Sequence, residues 1–139
     1  MMNFGRVILG GLAAGLVLNV GEFLFNGVLM KNQMAAWATR HNFPPEPSTN
    51  FFVIAIGLTF VLGIVMVWLY ALIRPRSGPG PKTAVIAAII IWFGVCFYCS
   101  IINGIILQFP MNLMFIGILW CLVEYVIAAV VGAWLYKEA

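Results

Sequence analysis

FFVIAIGLTFVLGIVMVWLYALI, residues 51–73, runs for twenty-three positions without a charge. A bilayer core about 30 Å thick is crossed by ~20 mainly apolar helical residues, so this stretch is long enough to span it. It does not alternate polar and apolar positions as a barrel strand would. Backbone groups surrounded by lipid must bond within their own segment, and a helix does that. Three more runs share its character: residues 7–30, with Glu22 as the one charge; residues 83–107, with none; and residues 111–136, with Glu124 alone. The expected fold is an all-α, polytopic integral membrane protein, a bundle of four transmembrane helices forming a single domain over residues 1–139. The first run is too long to be read as a secretory signal peptide.

Composition points the same way. Hydrophobic residues make up 64% of the 139 positions and charged residues 8%, where soluble domains carry roughly 45–50% and ~25%. A chain this short has too much surface for its volume to hide so many apolar side chains from water. A soluble enzyme is excluded. The net charge of +3 comes from Lys and Arg at the ends of the apolar runs, without the clustering on one face that nucleic-acid binding needs.

The connections are well punctuated. Phe-Pro-Pro-Glu-Pro at residues 43–47 stops whatever precedes it, and Ser48, Thr49 and Asn50 offer caps for the second span. Residues 74–82, Arg-Pro-Arg-Ser-Gly-Pro-Gly-Pro-Lys, read as a rigid polar connector. Gln108-Phe109-Pro110 is a tight turn that makes the third and fourth spans antiparallel neighbours. In residues 31–41, Met34, Trp37 and Ala38 share one helical face, which predicts a short interfacial helix anchored by Trp37. Arg6, Arg74, Arg76, Lys82 and Lys137 fall on one side of a four-span chain, and Lys31 and Arg40 on the other. By the positive-inside rule both termini are expected in the cytoplasm, with the protein in a bacterial inner membrane.

The polar residues inside the spans lie on stripes. At 100° per residue, Gly11, Gly15, Asn19, Glu22 and Asn26 fall within an arc of about 80° on the first helix. Ala88, Trp92, Cys96, Cys99 and Asn103 do so on the third, and Gly117, Cys121, Glu124, Ala128 and Gly132 on the fourth. Small residues let helices approach, so Gly11, Gly15, Gly117, Ala128 and Gly132 are expected to pack helix on helix. A charge at mid-bilayer costs at least ~2.5–3.5 kcal/mol on insertion scales, which marks intramembrane carboxylates as functional candidates. Glu22 and Glu124, supported by Asn19, Asn26 and Asn103, are therefore expected to line one outward-open polar pocket with Glu124 at its floor. The third and fourth helices are expected to meet through Cys96, Cys99 and Asn103 against Gly117, Cys121 and Glu124.

Cys96-Phe97-Tyr98-Cys99 has redox spacing, but it sits mid-span and away from the helix N-terminus where such thiolates are stabilised. Cys96, Cys99, Cys121 and Glu124 are compatible metal ligands in type; neither a metal nor a cofactor is expected. The lone His41 lies in a loop beside the Pro-rich stretch. Residues 78–81, Gly-Pro-Gly-Pro, are a linker and no phosphate cradle, because they follow no strand and proline removes donors.

Across nearly its whole length the chain resembles a group of small bacterial four-helix membrane proteins of the domain-of-unknown-function 1761 type. The resemblance rests on Gly21-Glu22-Phe23-Leu24-Phe25, the stretch from Lys31 to Trp37, Thr59-Phe60-Val61-Leu62-Gly63, Trp92, Ile102-Asn103, Pro110 and Gly132-Ala133-Trp134. It implies topology and no chemistry. The expected function is that of a small proton- or cation-linked carrier or channel-like transport protein, not an enzyme. The alternatives are an accessory or structural subunit of a larger membrane complex, and a membrane thiol-redox or cofactor-binding protein. Four helices enclose little volume, so the expected partners beyond the lipid bilayer are a second copy or a larger membrane-protein complex, and no nucleic acid.

Overall fold

A computed structural model describes residues 2–44 and 46–137; Pro45, inside the expected Pro-rich stop, lies outside the described residues. Five helices account for nearly all of it: α1 (Phe4–Leu29), α2 (Lys31–Arg40), α3 (Thr49–Ser77), α4 (Pro81–Ile106) and α5 (Met111–Leu135). Four of them, α1, α3, α4 and α5, are long and apolar enough to cross a membrane. They alternate in direction and pack in a ring, α1 against α3, α3 against α4, α4 against α5 and α5 against α1. The all-α polytopic architecture read from the sequence is the architecture found.

Local chemistry sets the helix ends. The Asn3 side chain accepts the Arg6 N–H at 3.2 Å to open α1, and Ser48 accepts that of Phe51 at 3.2 Å to open α3. One expectation is revised here. Helix α3 continues through Pro75 to Ser77, where the sequence suggested that the connector begins at Arg74. Proline removes one N–H from the ladder and crowds the carbonyl four residues back, and in a final turn little helix remains to be broken. Gly78, at φ +81°, then ends the helix, its N–H bonding the Arg74 carbonyl at 2.9 Å. The Thr83 hydroxyl donates to the Gly78 carbonyl at 2.6 Å and the Gly80 N–H donates to the Tyr70 hydroxyl at 3.2 Å, so the turn is tied to both helices it joins.

At the opposite end, α2 and α4 stop in the same way. Asn42 (φ 58°) and Gln108 (φ 52°) take the left-handed conformation. The next N–H, of Phe43 or Phe109, reaches back five residues to Ala38 or Gly104 at 2.9 Å in both cases. This is a Schellman stop, with proline following each time. Both phenylalanines then pack on Trp37 of α2, with ring centroids at 5.6 and 5.4 Å. The short helix is thereby pinned over the α4–α5 turn.

The two ends of the bundle are packed differently. Toward the end that holds the termini the helices touch backbone to backbone. A Cβ on Gly11 would strike the Ile64 backbone, and one on Gly63 would strike Gly11 and Gly15. A Cβ on Gly10 would lie 2.5 Å from the Gly132 carbonyl oxygen. Ala14, Ala84, Ala87, Ala88, Ala128 and Ala129 fill the rest of this core with Met66 and Val67. Tyr70 and Tyr136 close the end, ring edge to face at 5.9 Å, with the Arg74 guanidinium 5.5 Å over the Tyr136 ring. Toward α2 the packing loosens. No residue of Phe23–Leu29, Phe93–Tyr98 or Cys99–Ile106 is fully buried.

Candidate functional site

The loosened end holds a cavity of about 280 Å³. Helix α1 lines it with Glu22, Phe25 and Asn26, the α1–α2 junction with Met30, and α2 with Met34. Helix α4 contributes Cys96, Ser100, Asn103, Gly104 and Leu107, and the turn Phe109. Helix α5 contributes Leu113, Met114, Gly117, Trp120 and Cys121. Depth follows from the direction of each helix. Met30, Met34, Leu107 and Phe109 stand at the mouth under α2, and Glu22, Cys96, Trp120 and Cys121 at the floor.

Both diagonal walls depart from α-geometry at this level. Helix α1 winds as a π-helix over Phe23–Leu29, ending with the Met30 N–H on the Phe25 carbonyl at 2.8 Å, and α4 does so over Phe93–Tyr98. The wider winding turns side chains out of the register that a 100° step predicts, and such stretches recur at functional sites. This is why the stripes on α1 and α4 fan apart instead of remaining single lines.

Glu22 is exposed, and its Oε2 accepts from Asn26 Nδ2 at 2.7 Å. Asn103 also faces the cavity, with its Nδ2 donating to the Cys99 carbonyl of its own helix at 2.8 Å. Asn19 and Glu124, expected in the same pocket, do not line it. Asn19 Nδ2 is engaged by the Gly15 carbonyl at 2.9 Å. Glu124 is 5% exposed and lies behind Trp120, whose indole N–H donates to Glu124 Oε2 at 3.0 Å. Trp120 also stacks on Phe25 with centroids 5.5 Å apart. The Trp120 indole therefore reaches from the cavity wall to the buried carboxyl.

Glu124 Oε1 is buried and has no hydrogen-bond partner among the described residues. The carboxyl is seated on Gly21 of α1, where an added Cβ would come within 2.5 Å of its carbon. Glu124 thus faces α1, and the α4–α5 contact is bonded instead through the Trp92 indole, about two turns away along α5, which donates to the Ile118 carbonyl at 3.0 Å. Of the residues expected in that contact, Cys96 and Cys121 both line the cavity, and Cys96 packs against the buried cluster that includes Cys121. Cys99 is exposed and donates to the Gly94 carbonyl of its own helix at 3.5 Å. Gly117 belongs to the cavity wall, and a Cβ there would make ordinary contact with Phe25 at 3.5 Å.

Trp120, Phe25, Ser100 and the methionines are absent from the residues proposed from sequence. Trp120 could have been found, since a tryptophan four positions before a carboxylate on a helix can reach it. The methionines carried no such signal, being ordinary in an apolar span. No group of three or more His, Cys, Asp or Glu side chains converges among the described residues, so the Cys96, Cys99, Cys121 and Glu124 quartet is not assembled. The chain matches no family model, no curated protein and no solved structure, so the likeness to the domain-of-unknown-function 1761 type rests on the sequence features alone.

Proposed function

We propose that the protein is a small proton- or cation-linked carrier or channel-like protein of the bacterial inner membrane, with both termini in the cytoplasm and the cavity opening outward. The observation that carries this reading is Glu22, a carboxylate lining an open cavity in an otherwise apolar span. Ionisable groups within spans are costly and cluster on ion and proton paths. Asn26 beside Glu22 on α1, and Ser100 and Asn103 on the opposite wall, supply further polar contacts. Glu124 is a second carboxyl, outside the cavity lining and held by the Trp120 indole that lines it. The tight glycine and alanine packing at the closed end supports an arrangement with access from one side at a time.

The test is reconstitution in vesicles holding a pH-sensitive dye, with an imposed gradient of protons, Na⁺ or K⁺. The expected result is flux above that of protein-free vesicles, lowered at least tenfold by Glu22→Gln. Flux that survives both Glu22→Gln and Glu124→Gln, or no flux at all, overturns the reading. Purification in mild detergent with a stoichiometric partner protein would put an accessory-subunit role in its place.

A further inference from the structure

The cavity gathers sulfur. Of the seven methionines and three cysteines in the chain, Met30, Met34, Met114, Cys96 and Cys121 line this one space. They are distributed by depth: two thioethers at the mouth, Met114 below them against Gly104, and Cys96 and Cys121 lining the floor from facing helices. Helices α2, α4 and α5 and the α1–α2 junction supply them, from parts of the chain more than sixty residues apart, so sequence proximity does not explain the gathering. Methionine fills irregular gaps in many cores, but these five side chains border open space.

We propose that Cys96 and Cys121 form a binding site for a soft monovalent metal ion of the Cu(I) class, approached along the Met30, Met34 and Met114 thioethers. Thiolate and thioether sulfur select Cu(I) over the harder cations that oxygen ligands prefer. Cu(I) accepts two or three sulfur ligands, so the site does not need the larger cluster that zinc would require. On binding, a Cu–S bond forms to one of the two thiols and the S–H bond breaks, its proton passing to water in the cavity. The copper stays Cu(I) and no electron is transferred. The ion's positive charge and the thiolate's negative charge then cancel, which matters at a depth where net charge is costly. The other cysteine sulfur donates a lone pair, which completes a two-coordinate site; Met114, packed on Gly104 nearer the mouth, belongs to the approach. Cys99, exposed and bonded within its own helix, takes no part.

The purified full chain in detergent is titrated anaerobically with Cu(I) against a chromophoric bidentate Cu(I) chelator. One ion per chain should be withdrawn from the chelator. Cys96→Ser and Cys121→Ser should each weaken binding at least tenfold, the double variant should abolish it, and Cys99→Ser should leave it unchanged. A measurement on the unaltered chain guards against variants that fail to fold: Ag(I), as a redox-inert substitute, should protect the partly exposed Cys96 from maleimide while the exposed Cys99 continues to react. Failure of the unaltered chain to compete for Cu(I), equal binding by the double variant, or protection of Cys99 alone each overturns the site. Binding is read without transport, so absence of flux in vesicles would leave this inference standing, and absence of Cu(I) binding would leave the carrier open to other solutes.

Discussion

Gly11 and Gly57 are both glycines in apolar helices, and only their neighbours tell them apart. A Cβ on Gly11 runs into the backbone of Ile64, while one on Gly57 meets nothing within 4 Å. Replacing Gly11 by Ala should force α1 and α3 apart and lower stability in detergent by about 1–3 kcal/mol, the usual cost of overpacking. Replacing Gly57 by Ala should leave stability unchanged or raise it by up to ~1 kcal/mol, because alanine favours a helix more than glycine does. Thermal or denaturant unfolding of the two variants side by side checks both signs. The Trp120–Glu124 bond invites a second comparison. Trp120→Phe keeps most of the stacking on Phe25 but removes the donor, leaving the buried Glu124 oxygen without its partner. A loss of about 1–3 kcal/mol is expected, since an orphaned buried polar atom costs its desolvation. Adding Glu124→Leu to Trp120→Phe should recover part of that loss, because the orphaned group is then gone. If Trp120→Phe is as stable as the parent, the hydrogen bond has no structural weight.

At the scale of elements, α2 is held by few contacts, and they are aromatic. Trp37 meets Phe43, Phe109 and His41 with ring centroids between 4.8 and 5.6 Å, while the Lys31–Glu46 pair is solvent-exposed at 3.9 Å and contributes little. Aromatic pairs contribute about 0.5–1.5 kcal/mol each beyond their burial. Trp37→Ala should therefore free α2 without melting the bundle, seen as faster hydrogen exchange over residues 31–43 and unchanged exchange over α5. Lys31→Ala should change neither. The twin helix stops offer a test of opposite sign. Gln108 pays a steric cost at φ 52° that glycine does not. Gln108→Gly should stabilise the α4–α5 hairpin by several tenths of a kcal/mol while preserving the Phe109 to Gly104 bond. An equal or larger loss would mean that the Gln108 side chain is needed.

For the whole molecule, the prediction concerns which end faces the cytoplasm. Arg6, Arg74, Arg76, Lys82 and Lys137 lie at the end holding the termini, and Lys31 and Arg40 at the α2 end. With the native cysteines replaced, a cysteine at Ser77 should react with an impermeant reagent only from the cytoplasmic face, and one at Ser48 only from the outside. The reverse labelling would turn the cavity toward the cytoplasm and leave the fold unaltered.

Much of this architecture is legible in the chain. Apolar runs of 23 to 26 residues need no tertiary information to declare spans, because the bilayer sets the required length. The Phe43-Pro44 and Phe109-Pro110 stops, the Ser48 cap and the close-packing roles of Gly11, Gly15 and Gly132 follow from local sterics in the same way. The candidate site was legible only in part. A straight 100° projection puts Asn19, Glu22 and Asn26 on one line, yet Asn19, a turn deeper, bonds its own backbone at Gly15, while Glu22 and Asn26 line the cavity, which opens only where the packing loosens beyond Glu22. Glu124 could be recognised as exceptional from its type and depth, but not as shielded. That depends on Trp120 folding over it and on Gly21 of another helix receiving its carboxyl. The convergence of Met30, Met34, Cys96, Met114 and Cys121 was invisible for the same reason. Periodicity assigns each side chain a face of its own helix, whereas which faces meet, and at what depth, depends on how four helices pack and where their winding changes.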